Sequence, residues 1–131
     1  MIETNDLRRG NIIINAIDGL QYFIRDITEN YVRARYVNST VWLLQIYSRK
    51  MSGIPLTEEW LVNFGFDKIL DEDRPYFLIF KKPRMTIYFS TNEKWHHVFF
   101  EGVPVAIEYV HQLQNLYFAL TSEELQLKQS V

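Results

Sequence analysis

The sequence contains no cysteine among its 131 residues. This absence excludes a disulfide scaffold, a cysteine nucleophile and a thiolate metal site. No apolar run approaches the roughly 20 residues of a membrane-spanning helix. Acidic residues occur early in the chain, at Glu3, Asp6 and Asp18, so we expect no signal peptide. These absences together predict a cytoplasmic protein.

Glycine is also scarce, with five residues in the chain. None of them forms a glycine-rich phosphate loop, and no serine lies in the G-x-S-x-G pattern of a hydrolase. Neighbouring carboxylates at 58–59, 71–73 and 123–124 have structural explanations in the first turns of helices and in an exposed loop. We therefore expect no catalytic residue and no cofactor, and the sequence predicts a protein that is not an enzyme.

The three histidines give little support for a metal site. His96 and His97 are neighbours on a predicted strand, so their side chains point to opposite faces. His111 opens a predicted helix that has no second histidine one turn away. We expect none of the three histidines to bind a metal. One should lie on the surface, and the other two should pack or cap an element.

The composition is 47% hydrophobic and 15% aromatic, which predicts a folded chain with a substantial core. The net charge of −2 is unevenly divided, since residues 1–54 carry seven basic and five acidic residues while the remainder is acidic. A glycine and a proline near residues 52–55 disfavour regular structure at this change of charge. The sequence therefore predicts two packed parts, a small β-rich half over 1–53 and a second half over 54–131.

The first half has the pattern of short β-strands. Asp18-Gly19 lies between two runs of β-forming residues and predicts a hairpin with a type I′ turn. Further on, apolar and basic residues alternate with the period of a strand that has one exposed face. We predict a small antiparallel sheet or an SH3-like barrel. The predicted strands cover 11–17, 20–27, 32–36 and 41–46.

The second half mixes helical and β patterns. Thr57 and Gly65 have the residue types that begin and end a short helix, and the apolar spacing over 110–120 predicts a longer one. A capping box at Thr121–Glu124 predicts one more helical turn, over 122–127. The fold class is predicted to be α+β, with an antiparallel meander covered by the C-terminal helix. The meander strands are predicted over 76–82, 84–90, 94–100 and 103–109.

Adjacent aromatic residues indicate an interaction surface. Because neighbours on a strand or a helix point apart, one member of each pair at 99–100 and 117–118 must leave the core. Apolar surface of this kind is covered either by the N-terminal half of the chain or by a partner chain. The first hypothesis is a non-enzymatic protein-interaction module that binds a protein partner or itself, as a homodimer. Its candidate contact residues are Phe100, His111, Gln114, Tyr117 and Phe118.

The first alternative is an accessory protein that binds single-stranded nucleic acid. Arg33 and Arg35 share one face of a predicted strand, Arg25 lies on a neighbouring strand, and Tyr31 is among the aromatic residues between them. Basic grooves with stacking aromatic rings bind single strands in small barrels. However, the chain is acidic overall, and arginines on a strand also keep an exposed face soluble, so nucleic acid is not the favoured partner.

Three segments resemble a family of small uncharacterised proteins from gut bacteria, their phages and their mobile elements. They are LRRGN at 7–11, IPLTEEWL at 54–61 followed by FGF at 64–66, and YVHQLQNLYFALT at 109–121. The resemblance spans nearly the whole chain, but Ser122 stands where the family pattern has a glycine, a departure that affects only the helix cap.

The resemblance implies no activity. It implies a cytoplasmic setting and an accessory role in a phage or mobile element. It also motivates the second alternative, an anti-defence protein that sequesters a host factor or a small ligand.

Overall fold

The structure is a computed structural model that describes residues 2–38, 43–90 and 95–128, without the side chain of Trp95. The predicted α+β class is confirmed, because the chain has two antiparallel sheets of five strands each and a C-terminal helix. Positions 41, 42 and 94 of two predicted strands lie outside the described residues. The strands are β1 (Ile12–Asn15), β2 (Gln21–Ile27), β3 (Tyr31–Tyr36), β4 (Leu43–Tyr47), β5 (Met51–Ser52), β6 (Asp67–Leu70), β7 (Phe77–Lys82), β8 (Met85–Ser90), β9 (Trp95–Phe100) and β10 (Val103–Val105), and the helices are α1 (Glu58–Asn63) and α2 (Val110–Thr121).

The chain forms two compact units whose membership differs from the two predicted halves. The first unit contains the described residues up to Pro55 together with Tyr109–Glu124, and the second contains Leu56–Glu108 and the described residues from Leu125 onward. Helix α2 therefore groups with the first sheet, although the sequence placed it in the second half. The physical reason is that the Gln114 side chain of α2 binds the backbone of Ile12 and Gly10, at sequence separations of 102 and 104 that no local pattern can span.

The first sheet has the order β4-β3-β2-β1-β5. Four strands follow one another through antiparallel hairpins, and after a 3₁₀ turn at Ser48–Lys50 the short β5 returns to pair with β1. This return curls the sheet into a half-barrel. β5 is too short to leave a strand pattern in the sequence, and it was not predicted.

Alternation along the strands of the first sheet buries two sets of apolar residues. Ile13 belongs to a buried cluster on the concave side, together with residues from β2, β3, β4 and β5. Ile12 points the opposite way and is fully buried as well, on the side where α2 contacts β1. The concave cluster is Ile2, Leu7, Ile13, Tyr22, Ile24, Val32, Ala34, Ile46 and Met51.

The second unit is a meander in which each strand pairs with the next, in the order β10-β9-β8-β7-β6. One face is buried, and α1 contributes Leu61 and Phe64 to the core of this unit. β6 was not predicted, because its four residues lack a clean alternation of apolar and polar types. The buried strand residues are Leu78, Phe80, Met85, Ile87, Val98 and Phe100.

The hairpin predicted at Asp18-Gly19 is confirmed, but the type I′ turn predicted there is wrong. Gly19 has a positive φ of 72°, whereas Asp18 does not, and the Asp18 carboxylate accepts hydrogen bonds from Leu20 N and the Tyr22 hydroxyl. The two positive φ values that a type I′ turn requires occur at Glu101 and Gly102, between β9 and β10.

Helix α2 ends differently from the prediction. The next residue, Ser122, adopts the left-handed conformation at φ 61°, and no helical turn follows over 122–127. The Thr121 hydroxyl instead donates to Tyr117 O and accepts from Glu123 N. A left-handed residue after a helix is most often glycine, so a serine here closes the helix with some backbone strain. No helix among the described residues is long and apolar enough to cross a membrane.

Candidate nucleic-acid interface

The predicted protein-interaction residues are mostly buried in the folded chain. Phe100, His111, Gln114 and Tyr117 each have less than a tenth of their surface exposed, whereas Phe118 is 37% exposed. In the pair at 99–100 it is Phe99 that points away from the core, because Phe100 lies on the buried face of β9. Four of the five residues are therefore in the core of the folded chain, and Phe118 alone of the five lies at its surface.

Gln114 fastens helix α2 to the first sheet. Its side-chain oxygen accepts a hydrogen bond from Ile12 N at 2.9 Å, and its side-chain nitrogen donates to Gly10 O at 3.0 Å. The next residue, Asn115, binds the Asn11 side chain and the backbone of Asp6. Gln114, predicted as a contact residue for a partner, thus holds α2 to β1 within the chain.

Arg8 closes the exposed end of this contact. Its guanidinium donates to both carboxylate oxygens of Glu124 and to Gln114 O, and it lies 4.2 Å from the centre of the Phe118 ring. The cation therefore covers the one member of the predicted surface that is exposed. This is an arrangement for packing within the first unit.

His111 is buried beside Gly53, where the packing leaves no room for a side chain. Its ring stacks on Tyr109 at 5.9 Å, and a Cβ placed on Gly53 would lie 2.8 Å from ring carbons of Tyr109. His111 Nδ1 has no hydrogen-bond partner among the described residues. Burial lowers the pKa of His111 below its ordinary value, and the charge of Asp6 opposes this shift.

The four residues of the nucleic-acid alternative lie together on the outer face of the first sheet. Tyr31, Arg33 and Arg35 alternate on β3 with the buried Val32 and Ala34. We call the set Arg25, Tyr31, Arg33 and Arg35 the arginine–tyrosine face.

A bulge in β2 places Asp26 on this face beside Arg25. The pairing between β2 and β3 shifts between Ile24 and Asp26, so that Arg25 is the extra residue. A bulge turns two successive residues toward the same side of a sheet. Asp26 accordingly reaches Arg33, with 3.4 Å between their charged atoms, and Arg25 is exposed beside it.

Aromatic rings from the neighbouring strands complete the face. Arg35 lies 5.2 Å from the centre of the Phe23 ring, and the Tyr31 and Tyr47 rings meet edge to face at 5.8 Å. Arg49 lies 5.3 Å from the Tyr47 ring. Tyr47 and Arg49 are not among the predicted residues, because the fourth predicted strand ends at Ile46. The alternation of Leu43, Gln45 and Tyr47 would have revealed this face of β4.

The second unit holds a shallow cavity of about 340 Å³ beside β9 and β10. Its lining includes His97 and Glu108, and nearby His96 Nε2 lies 2.7 Å from Ile107 O. Within the described residues no three histidine, aspartate or glutamate side chains are grouped closely enough to hold a metal ion. His97 is exposed, whereas His96 and His111 pack and bond within their units.

The fold and its exposed arginines define an α+β protein with a basic, aromatic sheet face. Comparisons with models of protein families, with curated proteins and with solved structures find no match.

Proposed function

We propose that this chain is a non-enzymatic accessory protein that binds single-stranded nucleic acid on its arginine–tyrosine face. The observation that carries the proposal is the outer face of β2, β3 and β4, where four arginines at 25, 33, 35 and 49 lie among the half-buried rings of Phe23 and Tyr31 and the exposed ring of Tyr47. Asp26 pairs with Arg33 and balances one of these charges. The face is therefore locally basic although the chain carries a net charge of −2.

The chemistry of the face suits unpaired nucleotides. A guanidinium binds phosphate oxygens in a bidentate manner, and an exposed tyrosine ring offers a flat surface on which a base can stack. Bases in a duplex are already stacked on one another and cannot use such rings. The ion pair of Arg33 with Asp26 is exposed on both sides and contributes little to stability, so a phosphate can displace it.

An accessory role in a phage or mobile element, in the cytoplasm, accords with this function and is part of the proposal. The anti-defence alternative is also open to the same protein, because a nucleic acid is one of the host factors that such a protein can sequester.

The proposal is tested by fluorescence anisotropy with a labelled oligothymidylate and with a duplex of equal length. We expect the single strand to bind more tightly than the duplex. Arg33→Ala with Arg35→Ala should weaken binding and lower the slope of log K against log salt by about 1.4, since each lost phosphate contact on a single strand removes about 0.7.

The matched control removes two cations that lie away from the arginine–tyrosine face. Lys68 and Lys128 are exposed residues of the second unit, so Lys68→Ala with Lys128→Ala changes the net charge equally. We expect the control to keep the salt slope of the natural protein. An equal loss in both double variants, or no loss in either, would contradict the proposal.

A second candidate function is protein interaction through the edge strand β6. All four residues of β6 are exposed, and β6 lies at one end of the second sheet. Edge strands pair readily with a strand of another chain. The opposite edge, β10, contains Pro104, which cannot donate a hydrogen bond to a new strand. The observation therefore favours self-association or a partner strand at β6.

A further inference from the structure

The outer face of the second sheet carries a continuous set of aromatic rings. Tyr88 on β8 lies between Phe77 on β7 and Phe99 on β9, with ring centres 5.5 Å apart on both sides. We call Phe77, Tyr88 and Phe99 the outer aromatic row. The core of this unit lies on the other face, where residues such as Phe80 and Ile87 are fully buried.

Cross-strand aromatic pairs stabilise a sheet wherever they occur, but this row has further features that suit a ligand. Each of its three rings remains partly exposed. Arg74 lies 4.7 Å from the centre of the Phe77 ring. The exposed Lys81 pairs with Thr86 of β8, and Thr86 in turn pairs with Phe99 of β9. Asp67 lies opposite Lys81 at the edge of the sheet.

The row continues toward the cavity of about 340 Å³. His97 is paired with Tyr88 across β8 and β9, and Pro104 is paired with Phe99 across β9 and β10. Both His97 and Pro104 also line the cavity, together with Glu108. A flat ring that stacks on the row would therefore have hydrogen-bonding groups at its edge. The volume lies in the range of small-molecule sites.

From this juxtaposition we propose that the outer face of the second sheet binds an unpaired nucleobase, which stacks on the outer aromatic row with its polar edge toward His97 and Glu108. Arg74, whose guanidinium also pairs with Asp71 at 2.9 Å, and Lys81 are the cations beside the row that a phosphate would contact. If the bound base belongs to a single strand, the inference rests on the proposed function. A free nucleotide presents the same ring and phosphate and does not depend on it.

The test uses the intact protein and NMR spectra in which both sheets are observed. The probes are an oligothymidylate, uridine monophosphate and ribose 5-phosphate, which lacks the base. We expect the oligomer to shift signals of Tyr88, His97 and Phe99. If uridine monophosphate causes shifts of similar size at a similar concentration, free nucleotides are ligands of this face. If its shifts are weaker than those of the oligomer, the ligand is a single strand. Equal shifts with ribose 5-phosphate, or no shift at these residues with any probe, would overturn the inference.

Tyr88→Leu keeps the apolar bulk of the residue and removes its ring. We expect it to weaken nucleotide binding at this face about 5- to 100-fold, the range for the loss of one stacked base. Ile79→Leu, opposite Tyr88 in the ladder, is the control and should bind normally. Circular dichroism checks folding, and Phe99→Leu replaces Tyr88→Leu if that variant unfolds. Unchanged binding in the folded variant contradicts the inference.

The two proposals fail separately. Shifts confined to residues of the first sheet would leave the proposed function standing and remove the inference. Shifts confined to the outer aromatic row would support the inference and remove the proposed function. An absence of shifts in both sheets would overturn the proposed function and the inference.

Discussion

At the scale of single residues, His111 makes the stability of the protein sensitive to pH. The ring is buried against Tyr109, and its Nδ1 has no hydrogen-bond partner among the described residues. A charged imidazolium is costly in such a place, so burial lowers the pKa of His111 below 6.5 in the folded chain. The unfolded chain binds this proton at a higher pH than the folded chain does. The free energy of unfolding must therefore fall as the pH drops through 6.5, until the lower pKa of the folded chain is passed.

We expect this loss in urea denaturation curves measured between pH 7.5 and pH 5.5, with a slope from this one proton of at most about 1.4 kcal/mol per pH unit. His111→Phe retains a flat ring and should remove that part of the pH dependence. His97→Gln changes an exposed histidine and should retain it. An unchanged pH dependence in His111→Phe would show that other groups cause it.

At the scale of elements, α2 is held to β1 by buried amide groups as well as by apolar packing. Gln114 is 3% exposed, and it satisfies both Ile12 N and Gly10 O. A buried polar group that loses its partner costs about 1–3 kcal/mol. The helix is therefore fixed in position along β1 by hydrogen bonds whose loss is expensive.

Gln114→Leu should lower the free energy of unfolding by about 2–4 kcal/mol, because two backbone groups lose their partner together. Gln126→Leu is the matched control, since Gln126 is exposed and should change stability by less than about 0.5 kcal/mol. Both are measured by chemical denaturation. A loss no larger than that of the control would mean that water replaces the Gln114 amide.

At the scale of the whole molecule, the edge strand β6 is the place where a second chain can add to the fold. Leu70 is 67% exposed and Ile69 41%, so apolar side chains accompany the unpaired backbone of an edge. Natural proteins protect such edges with charges or proline, and β6 has charges at Asp67 and Lys68 but neither a charge nor a proline at Ile69 and Leu70.

We expect native mass spectrometry to detect dimers at high concentration and Ile69→Lys to reduce them. Val103→Lys places the same charge on the other edge strand and should leave the dimer fraction unchanged. A purely monomeric protein at all concentrations would remove self-association from the second candidate function.

The sequence predicted most of the strands, because alternation and turn residues are local properties. It predicted both α-helices, including the end of α1 at Gly65, which has the expected left-handed φ of 84°. β5 was not predicted because it has only two residues, and β6 was not predicted because its four residues lack a clean alternation. For the candidate face, the period of β3 revealed Tyr31, Arg33 and Arg35, whereas Tyr47 required the true end of β4.

By itself the sequence determined the α+β class, the absence of thiol chemistry and the shared face of Arg33 and Arg35, since each depends on composition or on the two-residue period of a strand. Only the tertiary structure decided that α2 joins the first sheet and that Tyr117, His111 and Gln114 are buried. A helix presents an apolar stripe without specifying what covers it. The partner is selected by contacts between residues more than a hundred positions apart, such as Gln114 with Gly10.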